Sequence, residues 1–130
     1  MDKINKDTEI KNPEPDTKSG RTGVIQQGQI WRVTNNNFFG NIRIRKECEH
    51  CGNISMGDEK VRLKKGDYIE IRYPYKWHFR TEDNRYLQAE PDVIYSNAEI
   101  IGQIREDIKF NNRHELKEIL EQKLYLPVPV

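Results

Sequence analysis

The stretch "VRLKKGDYIEIRY", residues 61 to 73, constrains the fold more than any other. Val61 and Leu63, then Ile69, Ile71 and Tyr73, alternate with charged residues on either side of a "KKGD" break. Successive residues of a strand point to opposite sides, so a period of two marks strands with one apolar face. The spacing predicts a hairpin with Gly66 in its turn.

Similar runs recur along the chain. "GQIWRVT" (28 to 34) predicts a strand, and "NNNFFGN" (35 to 41) a turn that ends it. In "NIRIRKE", Ile42 and Ile44 fall on one face and Arg43 and Arg45 on the other. Pro74 cannot donate a ladder hydrogen bond, so it belongs at an edge, bulge or corner, after which Trp77 and Phe79 are expected inward. Ile100, Ile101 and Ile104 in "PDVIYSNAEIIGQI" predict a last strand. Five or six short strands joined by tight turns imply a mainly β fold, a small antiparallel barrel of SH3-like or OB-like shape.

The end of the chain has a different period. Asn112 with Glu115 has the form of a capping box, and Leu116, Ile119, Leu120 and Leu124 follow one face of a helix over about 113 to 125. "LPVPV" cannot continue it and predicts an extended tail, packed down within the chain or offered to a partner. Residues 1 to 22 hold almost no apolar side chains and read as a solvated leader. The sequence therefore predicts one domain over residues 23 to 126, which suits a chain of 130 residues.

Composition narrows the function. No apolar run nears the roughly 18 residues that would cross a bilayer, and the N-terminus lacks the apolar centre of a secretory signal, so a cytoplasmic protein with no membrane partner is expected. The formal net charge of +1 hides an asymmetry. Residues 43 to 80 carry ten Lys and Arg against six Asp and Glu, and residues 81 to 130 the reverse, six against ten. There is no nucleophile elbow, phosphate-binding glycine loop or H-E-x-x-H pair, and the expectation is a non-enzymatic protein.

Two stretches hold candidate chemistry. In "ECEHCG" (47 to 52), Cys48 and Cys51 have the spacing of a zinc knuckle, and zinc is the cofactor they would hold. A structural zinc ion takes four ligands, and the chain has no other cysteine. His50 lies between the thiols and is expected to point away, which leaves His78, His114 or carboxylates such as Asp58 and Glu59 to converge, or a second subunit. By sequence alone, two reduced thiols in a surface turn are favoured over a metal site. A thioredoxin-like pair is disfavoured because no helix pattern follows to lower the first thiol's pKa.

The second stretch is "RYPYKWHFR" (72 to 80), where basic residues interleave with aromatic ones as single-stranded nucleic acid requires. Alternation places Arg72 with Tyr68 and Glu70 on one face, and Lys76, His78 and Arg80 together opposite Trp77 and Phe79. The expected nucleic-acid-binding face is Arg43, Arg45, Tyr68, Arg72, Tyr75, Lys76, His78 and Arg80. The alternative is a protein-interaction module, an adaptor, inhibitor or assembly subunit of the kind phages and mobile elements encode, using a barrel edge or the C-terminal tail.

Overall fold

In the computed structural model, residues 25–42, 48, 51, 59–109 and 113–128 are described. The leader of residues 1 to 22, Arg43, Ile44, Arg45, His50, Asp58 and the two C-terminal residues lie outside them. Among the described residues eight strands form one antiparallel sheet: β1 (Gln29–Val33), β2 (Phe38–Asn41), β3 (Lys60–Leu63), β4 (Tyr68–Tyr73), β5 (His78–Thr81), β6 (Tyr86–Gln88), β7 (Ala98–Ile104) and β8 (Tyr125–Pro127). Their spatial order is β3-β2-β6-β5-β4-β1-β7-β8. Two short helices, α1 (Pro91–Asn97) and α2 (Leu116–Gln122), accompany them.

The mainly β reading holds, but the barrel does not follow. Among the described residues no ladder joins β3 to β8, and the sheet is open with those strands as its edges. The predicted hairpin across "KKGD" also differs. Gly66 does sit in a tight turn with φ of 97°, the left-handed region open to glycine. The strands it joins, however, take different neighbours: β3 pairs β2, while β4 pairs β1 and β5. The Gly66 N–H donates to the Val33 carbonyl and the Val33 N–H to the Asp67 carbonyl, so the turn leaves β3 and docks on the end of β1.

Other departures have local causes. The break after β1 is confined to residues 34–37, where the Asn35 side chain accepts the Asn37 N–H, and Phe38–Asn41 is already strand. In "PDVIYSN", Pro91 opens helix α1 with its fixed φ, and Ile94 buries against the core. Trp77 is no inward strand residue: it has φ of 56° and closes the 3-10 turn Pro74–Lys76. Helix α2 is shorter than predicted, and Glu115 stands at its N-cap without a side-chain capping bond; Asn112 lies outside the described residues. Lys123, also left-handed, ends α2, and the apolar tail packs down as β8 against β7.

Two apolar clusters lie on opposite faces of the sheet. Trp31, Phe38, Leu63, Ile69, Ile71, Phe79 and Leu87 join Ile94 of α1 on one face. Ile30 and Ile104 meet Ile108, Leu116 and Ile119 on the other, beneath α2. The ladder rows explain the split: directly opposed residues share a face, so Ile71–Phe79–Leu87 forms one row and Ile30–Glu70–Arg80–Tyr86 another. Strands β4 and β5 are thus covered on both faces, and all four residues of β5 are buried.

Candidate metal centre

The connection from β2 to β3, which pair as a hairpin, carries Cys48 and Cys51. The Ile42 N–H donates to the Glu59 carbonyl at the mouth of that connection, and the Cys51 N–H donates to the Cys48 carbonyl at 3.0 Å in a tight turn. This turn lies over β5, where His78 shares a face with Gln88, its cross-strand partner. Cys51 is buried with Tyr86, and Cys48 and Tyr73 pack beside them.

One donor atom from each of Cys48, Cys51 and His78 lies within 4.8 Å of the others. The Cys51 Sγ is 3.3 Å from the His78 Nδ1. A tetrahedral zinc ion with Zn–S of about 2.3 Å and Zn–N of about 2.1 Å holds its sulfur and nitrogen roughly 3.6 Å apart. The Cys51 and His78 donor atoms thus stand within a few tenths of an ångström of ligating separation. The surface-turn expectation fails for Cys51, which is fully buried. Burial pushes its thiol pKa well above the usual range; the neighbouring Cys48 adds to this, and the Arg72 guanidinium acts the other way. A buried neutral thiol is a poor nucleophile. A dication is the partner that would make it an anion.

His114, the other histidine offered by the sequence, is not part of this group. Its Nδ1 lies 3.3 Å from the Glu118 carboxylate, and its backbone carbonyl accepts from Arg80.

Beside the triad lies a buried ionic cluster. Glu70 Oε2 is 2.5 Å from Arg72 Nη1 and Oε1 is 2.6 Å from Arg80 Nε, each side chain 1% exposed. Arg80 Nη2 also donates to the His114 carbonyl at 2.7 Å, which ties β5 to the chain entering α2. The cluster and the Cys–His triad share the face of β5 that carries His78 and Arg80.

This corrects the expected basic face. Arg72, His78 and Arg80 are interior residues, and Tyr68 is half-buried against the α2 cluster. Of the predicted set, Tyr75, 82% exposed, and Lys76 face solvent, on the 3-10 turn. Within β4 and β5 the alternation holds and separates an apolar interior from an ionic one, whereas Lys76 and Trp77 belong to the 3-10 turn and its end and fall outside it. Glu70 carried the signal, since an acid between two isoleucines, flanked by an arginine two residues on, is the partner a buried guanidinium needs. The alternation in "KVRL" held a further signal, for Lys60 and Arg62 are exposed opposite the buried Val61 and Leu63.

No family model matches the chain, and the comparisons find no similar curated protein or solved structure. No helix among the described residues is long and apolar enough to cross a membrane.

Proposed function

We propose that this chain is a small non-enzymatic binding module in which Cys48, Cys51 and His78 hold a structural zinc ion, fastening the β2–β3 connection to β5. The observation that carries the reading is the convergence of three soft or borderline donors from two distant segments, with the Cys51 Sγ to His78 Nδ1 separation at 3.3 Å. Two thiolates and an imidazole suit zinc over the hard cations, which take oxygen. Burial of Cys51 and His78 supports a structural rather than a catalytic ion, because a catalytic site keeps a position open to substrate. A structural ion takes four protein ligands, so this reading requires a fourth side chain from outside the described residues.

Such an ion has a clear energetic use in a small domain. The β2–β3 connection spans 18 residues, 42 to 59, between four-residue strands, and an ion bonded to both connection and sheet removes much of its freedom. Protein prepared without a histidine tag is expected to carry close to one zinc per chain by elemental analysis. Cobalt in its place should give the visible absorption of a tetrahedral thiolate site. Cys48→Ser, Cys51→Ser and His78→Ala should each weaken metal affinity at least tenfold. Fewer than about one zinc per two chains, after dialysis against zinc, would end this reading.

A further inference from the structure

The outer face of the β2–β3 hairpin has a composition that neither its packing nor the metal centre uses. Phe38, Gly40, Val61 and Leu63 turn inward, which leaves Phe39 opposite Arg62 and Asn41 opposite Lys60 on the other side. Phe39 is 39% exposed, and the Lys60 ammonium lies 4.8 Å from its ring centroid. Lys64 and Lys65 extend the row into the turn, where the Lys65 N–H is held by the Asn36 side chain. Among the described residues none of these four cations is in a salt bridge. The nearest acids in sequence are Glu59, at the start of β3, and Asp67, whose carboxylate is occupied by the Lys64 N–H. At the other end Gln88, paired with Asn41, donates to the Lys76 carbonyl, so the exposed Tyr75 borders the same side.

We propose that this face binds single-stranded nucleic acid, with Lys60, Arg62, Lys64 and Lys65 on the phosphates and Phe39 as the platform for one stacked base. The complementarity is of charge and shape. Lys60 and Arg62 stand about 7 Å apart along the edge strand at about 3.3 Å per residue, and Lys64 and Lys65 follow in its turn. A ring in contact with a cation is set among them, and such a pairing tolerates any base because every base has a flat face. Lysines on an edge strand also deter strand pairing between molecules. That role alone would call for no exposed ring and would not depend on salt. The proposal rests on the binding-module reading and is separable from it, because zinc content is read independently.

The test uses the full chain, zinc-loaded, with fluorescein-labelled dT12 and U12 in anisotropy titrations from 20 to 200 mM NaCl. Association is expected at low salt, with log K falling against log salt at a slope of about −3 for four phosphate contacts. Lys60→Glu with Arg62→Glu should weaken binding at least tenfold and flatten the slope by about 1.4. Phe39→Ala should weaken it about fivefold or more with the slope unchanged. Lys117→Glu, an exposed charge change on α2, should bind like the wild type. Zinc content and circular dichroism of each variant report folding. No association with either strand at 20 mM salt overturns the proposal. So does Phe39→Ala binding like the wild type, which would mean attraction of any polyanion, or Lys117→Glu costing as much as the β3 pair.

Discussion

Replacing Glu70 by glutamine changes one oxygen to an NH2 group and removes the only anion in the ionic cluster beneath α2 among the described residues. In the wild type its two oxygens stand 2.5 and 2.6 Å from Arg72 and Arg80, with all three side chains 1% exposed. The substituted amide would offer one accepting oxygen and would turn its NH2 group toward the second guanidinium, donor against donor. Both buried guanidinium groups would lose the carboxylate they share, although Arg80 would keep its bond to the His114 carbonyl. Breaking a buried pair in this way costs about 3–5 kcal/mol, because the stranded charge keeps its desolvation penalty and loses its compensation. A domain of this size has roughly 5–15 kcal/mol of stability in total. The substitution therefore removes a large part of it, a fall in Tm on the order of 15–30 °C. Urea unfolding followed by tryptophan fluorescence, to which the buried Trp31 contributes, measures it, as a lower midpoint with an unchanged m value. Because Glu70→Gln could fail to fold, the companion variant Glu70→Leu/Arg72→Met/Arg80→Leu fills the same space without charge and should return to within about 2 kcal/mol of the wild type. A loss below about 1 kcal/mol in Glu70→Gln would refute the reasoning, since water would then have to reach the guanidinium groups.

Three further outcomes follow from the same geometry. In metal-free protein Cys51 keeps its proton in the fold but ionises near the ordinary thiol value when unfolded. The stability it contributes is complete below about pH 8.5 and falls as pH rises, by up to about 1.4 kcal/mol per unit, a slope that Cys51→Ala should remove in urea titrations between pH 7.5 and 10. Burial raises the Glu82 carboxyl pKa, opposed by the Tyr68 N–H it accepts. Its stability contribution is thus present at pH 3 and lost at neutral pH, and Glu82→Gln should raise Tm at pH 7 while leaving it unchanged at pH 3. A Cβ at Gly102 would stand 2.5 Å from Tyr125 Cδ2 and 2.8 Å from the Leu126 carbonyl, so Gly102→Ala should cost about 1–3 kcal/mol and speed hydrogen exchange at the Val128 N–H, which bonds Ile101.

Much of the framework was legible along the chain because it depends on near neighbours. Period-two alternation identified β3 and β4, runs of apolar and β-branched residues identified β1 and β7, helical spacing identified α2, and Pro74 marked a corner where a 3-10 turn and a register shift between Ile71 and Tyr73 now stand. The two-residue gap between Cys48 and Cys51 is itself a local property, sufficient to aim two sulfurs at one point. What alternation cannot report is what covers each face. It says that Arg72 and Arg80 lie opposite Ile71 and Phe79, and an arginine on the face away from the core reads as exposed. Only the return of the chain through α2 and the packing of Cys48 and Cys51 over β5 turned that face into a second interior, where Glu70 became obligatory and His78 met a sulfur 27 residues away. Conversely β3, left at the sheet edge by a turn that docks on β1, kept its alternate cations in water. Sequence determined which side chains share a face; the order of strands and the elements laid over them decided which face meets solvent, since burial depends on contacts between residues far apart in the chain.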